Sequence, residues 1–272
     1  TKTIPKGMLP LGDKPIMQYV VEECVEAGIE EIIIVATPEG KPIYEDYFNN
    51  SVNKIKKQLT VMGKAERYEP VQRVLDFPKI IVITQDETLP YGNGSPVVSA
   101  QKFLEGEDAF LVLYSDDVIF GKPGDSKIMV DLYDQNPEVD GIIMSQKIEP
   151  EVANKYGIIS FKEGSETDLD NIIEKPDSGT EPSLLASYGR YLLTSKVFSH
   201  LVGSNTGKDN ELWTVDAITK MAKEGRVIVG KSEATWLTTG DPENYFRAHM
   251  RFVVEYEKYG NKLGSWLEEF KK

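Results

Sequence analysis

Ala109-Phe-Leu-Val-Leu-Tyr-Ser-Asp-Asp117 is an apolar run of strand length that ends on two adjacent carboxylates. An apolar run without polar alternation buries both faces of a strand, as happens inside a parallel sheet covered by helices. Glu31-Ile-Ile-Ile-Val35 reads the same way, and a further strand is expected from Lys79 to Gln85. Helical patterns separate these runs. Ile16, Tyr19, Val20, Cys24 and Ala27 recur at helical spacing and Gly28 closes them. A polar helical stretch runs from about Tyr44 to Leu59, and another helix begins near Ser95. Strands alternating with helices predict an α/β fold of Rossmann-like type, a mixed and mainly parallel sheet flanked by helices.

Near Pro137 the pattern changes. Short strands are expected at Gly141–Ile148, Gly157–Phe161, Asn171–Lys175 and Leu184–Leu193. Helices follow near Lys196–Leu201 and Trp213–Glu224, then a strand around Val227 and a long helix from Pro242 to about Tyr259. Nothing resembles a linker or a repeat. We read 1–272 as one domain, with a nucleotide-type half to about 136 and a second, C-terminally helical lobe from 137.

The chain carries 31 basic and 44 acidic residues, a net charge of −13. A surplus of this size repels nucleic-acid backbones, so no nucleic-acid partner is expected, although local cations can still hold a small phosphorylated ligand. One cysteine, Cys24, excludes an intrachain disulfide or a cysteine-rich zinc site, and two histidines, His200 and His249, make a histidine metal centre improbable. No apolar run approaches the roughly 18–20 residues that span a bilayer, and no signal peptide is visible. A cytoplasmic protein without a membrane partner is expected.

Four segments carry candidate chemistry. Asp116-Asp117 lies beyond the carboxyl end of a strand, where open α/β sheets bind ligands, and suits Mg²⁺ as well as it suits a solvated turn. Tyr91-Gly-Asn-Gly-Ser-Pro96 precedes a helix; it is a tight turn or a backbone cradle for an anion. Pro5-Lys-Gly-Met-Leu-Pro-Leu-Gly-Asp-Lys-Pro15 offers a lysine on a proline-stiffened segment, either a phosphate contact or a surface loop. Glu174-Lys-Pro176 pairs an acceptor with a cation, which suits a sugar phosphate or a strand-end ion pair. His200 and His249 fall within helical patterns and read as packing or surface residues.

Together and in order, these motifs resemble the bacterial UTP–glucose-1-phosphate uridylyltransferases of the sugar-nucleotide pyrophosphorylase family. The resemblance runs from Ile4 to Tyr259 and includes Tyr19-Val-Val-Glu-Glu23, Tyr156-Gly157, Gly189-Arg-Tyr191, Glu211 and Asp216-Ala217. It implies UTP and glucose 1-phosphate as substrates, UDP-glucose as product and Mg²⁺ as cofactor, in a homo-oligomeric dimer or tetramer. Lys6, Gln85, Gly92 and Asp116 would serve the nucleotide, and Asp116 the metal. Gly157, Glu174, Lys175 and Glu211 would face the sugar, with Lys6, Asp116 and Lys175 as the catalytic set. Rival readings keep the chemistry with a thymidylyl or guanylyl donor, or reduce the chain to a catalytically weak sugar-nucleotide binder.

Four departures accompany the resemblance. The family opens with a strand and a Gly-x-Gly-Thr-Arg loop, so this first strand and glycine loop are expected to be missing from the chain. Thr238 stands where the family has its second metal-binding aspartate, which leaves Asp241 as the expected replacement. Gly7 stands where many members carry glutamate, and the span from Gln85 to Gly92 is longer than the family's.

Overall fold

The computed structural model describes residues 3–68, 74, 76–202, 206–207, 210–255, 263, 265–266 and 268–269. A short hairpin, β1 (Pro10–Leu11) with β2 (Lys14–Pro15), leads into α1 (Ile16–Glu26), which buries Ile16, Val20, Val21 and Cys24 at the helical spacing read from the sequence. The isoleucine run forms β3 (Glu31–Ala36). The stretch expected as one polar helix is two, α2 (Lys41–Glu45) and α3 (Ser51–Val61), joined by a wide π-type turn at Asp46–Asn50. Then come β4 (Lys79–Thr84), α4 (Gly94–Ala100), β5 (Phe110–Leu113), β6 (Asp117–Phe120) and α5 (Asp125–Gln135).

In the second half β7 (Gly141–Lys147), β8 (Gly157–Phe161), β9 (Leu169–Glu174) and β10 (Leu185–Leu193) fall close to their expected positions. After them lie α6 (Val197–His200), α7 (Thr214–Glu224), β11 (Val227–Lys231), β12 (Thr235–Thr238) and α8 (Pro242–Glu255). The expected extension of the last helix to Tyr259 lies outside the described residues.

The α/β class is as read, and the pairing corrects its detail. Among the described residues parallel pairing is confined to β3 with β4 and to β11 with β7. The remaining pairs are antiparallel, and β10 is long enough to hold β5, β7 and β8 along its length. The resulting sheet runs β11-β7-β10-β8-β9 with β5 added on β10. One face of this sheet packs on α7 through Ile143, Leu193, Ile218 and Met221. A separate cluster of Met17, Val20, Ile34, Tyr44 and Val82 joins α1 to the β3–β4 pair. Cys24 is buried and free. No helix among the described residues is long and apolar enough to cross a membrane.

Candidate active site

The two carboxylates that close the apolar run have different fates. Past the end of β5 the chain turns, so that Asp116 stays in the turn and Asp117 opens β6. The backbone N–H and hydroxyl of Thr239 both donate to the Asp116 carbonyl, at 2.7 and 2.8 Å, and fix that turn against the end of β12. The Asp116 carboxylate stands over Gly240, where a β-carbon would come within 3.2 Å of Oδ2. Lys6 reaches the same place from the opposite end of the sequence, its Nζ donating to the Gly240 carbonyl at 2.7 Å. Lys6, Asp116 and Gly240 therefore form one corner that combines a cation with an open carboxylate.

Asp117 turns inward. It is buried, accepts a hydrogen bond from Trp236 Nε1 at 2.7 Å, and lies opposite Thr238 in the β6–β12 register, whose hydroxyl also donates to it. Burial, and secondarily the charge of Asp116, push its carboxyl up to about 6 against the opposing pull of Arg190. Arg190 is fully buried and belongs to the support of this turn. Its Nε donates to Glu23 Oε1 and Oε2 at 3.1 and 3.0 Å, and its Nη2 to Oε2 at 2.9 Å. The remaining donors hold the Asp117 carbonyl at 2.8 Å, the Gly189 carbonyl at 2.8 Å and the Tyr114 carbonyl at 3.4 Å.

The far side of the cleft is built by β8 and β9. Gly157 is the register partner of Glu174, and a β-carbon there would lie 3.0 Å from Glu174 Oε2 and 2.9 Å from Ile172, so glycine gives the carboxylate its place. Lys175 adopts φ +48°, its N–H donating to the Tyr156 carbonyl at 3.0 Å, and its Nζ lies 3.7 Å from Glu174 Oε1. Trp236 forms the floor, stacked on Tyr188 at 4.9 Å and met by Tyr156 at 5.0 Å. The cleft encloses about 390 Å³, and Asp116, Lys155, Gly157, Glu174, Lys175 and Trp236 are among the residues that line it. That volume is in the range of small-molecule sites.

Not every sequence candidate meets here. Gln85 sits at the end of β4 as expected, its N–H donating to Ala36, but it does not line this cleft. Nor does Glu211, although Trp213 two positions on does. Gly92, at φ +134°, packs on the backbone of Leu212, which bonds to Tyr91 and Gly94 on either side, while Asn93 Oδ1 accepts from the Thr214 N–H that starts α7. The glycine turn thus joins the two halves of the chain. Asp241, expected at the metal, accepts the Asn244 N–H on Oδ1 at 2.9 Å and the Asn244 amide on Oδ2 at 2.6 Å, a start-of-helix arrangement. Gly7 has no room for the glutamate of many family members, since a β-carbon would lie 2.9 Å from the Tyr44 hydroxyl and 3.3 Å from Met17. His200 and His249 make local contacts, to Glu224 and to the Tyr245 carbonyl, as packing residues do.

Sequence reasoning missed the supporting roles of Glu23 and Arg190, which it had noted only as motif residues, and the places of Trp236 and Lys155. A glutamate among the apolar positions of a helix and an arginine in an apolar strand were the available signals.

The nucleotidyl transferase family model matches residues 1–254. The chain belongs to the nucleotidyl transferase family. Within that family it is similar to the UTP–glucose-1-phosphate uridylyltransferase of Bacillus subtilis (strain 168), 34% identical over 270 residues, covering 98% of this chain and 90% of the relative. It is also 34% identical to UTP–glucose-1-phosphate uridylyltransferase YngB of the same strain, over 99% of this chain and 89% of that one. Among solved structures, the UTP-bound enzyme of Acinetobacter baumannii superposes with a TM-score of 0.85 at 28% identity, covering 98% of this chain and 92% of that one. A UDP-glucose pyrophosphorylase complexed with UDP-glucose gives 0.77 at 31% identity, over 92% of this chain and 91% of that one.

Proposed function

We propose that this nucleotidyl transferase joins UTP and α-D-glucose 1-phosphate into UDP-glucose and pyrophosphate. The observation that carries the reading is the placement of Asp116 and Lys175 with Glu174 in one cleft, with Lys6 reaching its edge through the Gly240 carbonyl. A sugar-phosphate oxygen attacks the α-phosphorus of UTP, the new P–O bond forms in line, and the bond to pyrophosphate breaks. The nucleophile is already anionic, so no general base is required; positioning and charge neutralisation provide the rate. Lys175 takes the sugar phosphate, Glu174 and the backbone at Gly157 face the sugar, and Lys6 holds the triphosphate against the protein's own net negative field.

A divalent cation fits the corner at Asp116, whose carboxylate receives no hydrogen bond among the described residues and stands open over Gly240. Mg²⁺ prefers one or two carboxylates with phosphates and water, and when bound it neutralises charge on the reacting phosphates. Gln85, Gly92 and Glu211 remain candidates for the uracil and the sugar, at the margins of the cleft. A single domain over 1–272, halved near 136, suits this reading because the hydrogen bonds between 91–94 and Leu212 tie the halves together. We place the reaction in the cytoplasm and expect a homo-oligomer.

Thr238, standing where the family carries an aspartate, favours a second reading: a binder of UDP-glucose with slow turnover. Pyrophosphate release assayed with each nucleoside triphosphate against glucose 1-phosphate separates the two. Release with UTP above the other nucleotides supports the uridylyltransferase; UDP-glucose binding without release supports the binder.

A further inference from the structure

We propose that the Ser187 hydroxyl is a specificity-determining contact, a group that hydrogen-bonds one hydroxyl of the sugar from the side of the cleft that faces Glu174. The identity of the sugar rests on the uridylyltransferase reading; the contact at Ser187 does not.

Among the described residues four buried hydroxyls complete no hydrogen bond of normal geometry, those of Tyr68, Tyr114, Ser187 and Thr214. Tyr68 belongs to the cluster around α1 and the β3–β4 pair. The other three gather around Tyr191: Ser187 and Tyr114 each act on the ionisation of the Tyr191 hydroxyl, and Thr214 on that of Tyr114. Tyr114, Ser187 and Tyr191 line the cleft, and Thr214 opens α7 beside them. Ser187 is 8% exposed and Thr214 is fully buried. A buried hydroxyl without a partner costs stability that a small apolar side chain would not, so its presence in a cleft wall is accounted for by a partner that arrives with the ligand.

The sheet register gives Ser187 its direction. Ser187 pairs with Gly157, and Gly157 with Glu174, across β10, β8 and β9. Residues directly opposite in an antiparallel pair share a face, so Ser187 and Glu174 stand on the same side with a glycine between them. Two strand spacings put their backbones roughly 10 Å apart, and the Glu174 carboxylate leans into that gap over Gly157. A sugar lying there meets a carboxylate acceptor on one side and, on the other, the Ser187 hydroxyl, which can both donate and accept. The contact discriminates because a sugar without the matching hydroxyl leaves Ser187 unpaired.

The test uses the whole chain and reads binding without turnover. UDP, UDP-glucose and the UDP-glucose analogues that each lack one sugar hydroxyl are titrated calorimetrically into the wild type and into Ser187→Ala. The variant should bind UDP-glucose roughly tenfold more weakly, bind UDP as the wild type does, and match the wild type on the one analogue that lacks the contacted hydroxyl. Without ligand it should melt at or above the wild-type temperature, since only an unpaired hydroxyl has been removed. Equal affinity of the two proteins for UDP-glucose, equal weakening of every ligand including UDP, or a lower melting temperature of the free variant would each overturn the proposal. UDP-glucose binding without pyrophosphate release from UTP in the wild type would sink the uridylyltransferase reading alone, and the analogue series would still decide the contact. A wild type that binds no UDP-glucose overturns both.

Discussion

Arg190 and Glu23, 167 positions apart in sequence, form a buried ion pair whose guanidinium also holds the carbonyls of Tyr114, Gly189 and Asp117. Glu23 in turn accepts from the N–H and hydroxyl of Ser126 at 3.1 and 2.7 Å, which anchors the start of α5 to α1. The pair therefore fixes three segments around the Asp116 turn: the exit of β5, the bulged middle of β10 and the first turn of α5.

Breaking one side of this pair leaves an uncompensated buried charge. Arg190→Met and Glu23→Leu are each expected to cost about 3–5 kcal/mol of stability, whereas the double variant should lose markedly less than the sum. Urea unfolding of the four proteins checks this; strictly additive losses would show that the two residues do not act as a pair.

Gly92 at φ +134° leaves no space for a side chain, since a β-carbon would lie 2.4 Å from the Leu212 carbonyl oxygen. Gly92→Ala should destabilise the protein by about 2–4 kcal/mol and loosen the contact between the two halves. Thermal unfolding reads the loss, and a melting temperature equal to the wild type's would contradict the packing assigned to this turn.

Asp117 gives a pH dependence with a definite sign. Burial lifts its folded-state value to about 6, above the ordinary carboxylate range, so the protonated form favours folding. That contribution is full below the unfolded value and is lost as pH rises through about 6. Asp117→Asn keeps an acceptor for Trp236 without the charge. It should raise stability at pH 7.5 by about 1–3 kcal/mol and change little near pH 4. Destabilisation at pH 7.5 that shrinks toward pH 4 would show instead that the acid is favourably ionised in the folded protein.

The two cationic corners should separate kinetically. Lys6→Ala is expected to raise KM for UTP by roughly tenfold or more with a smaller effect on glucose 1-phosphate, and Lys175→Ala the reverse. Steady-state kinetics with each substrate varied in turn checks the split; an identical pattern in both variants would undo the assignment of opposite walls.

The legible part of the fold was the part written in long apolar runs. β3, β4 and β5 announce themselves because an unbroken series such as Ile32-Ile-Ile34 has no other comfortable place than a sheet interior. β1, β2, β6 and β12 were not legible: they hold two to four residues each, and β6 finds β12 across more than a hundred positions, which no local pattern encodes. α5 carries Ile128, Met129, Leu132 and Tyr133 at helical spacing, but four acidic or amide residues among its eleven dilute that pattern. At the site, the motifs pointed to Lys6, Asp116, Glu174 and Lys175; the last three line one cleft, and Lys6 bonds to the Gly240 carbonyl at its edge. The sequence shows Asp241 as a carboxylate after a glycine but not the Asn244 that donates to it at the start of α8. Trp236 was silent because an aromatic in a short strand ordinarily means packing; here it also donates to Asp117.

The most direct measurement is pyrophosphate release from UTP and glucose 1-phosphate with Mg²⁺, run on the wild-type chain beside Lys175→Ala. Release with UTP in the wild type, reduced about a hundredfold in kcat/KM for glucose 1-phosphate in the variant, is the expected result. Release unchanged by Lys175→Ala, or faster with another nucleoside triphosphate than with UTP, would contradict the proposed uridylyltransferase site.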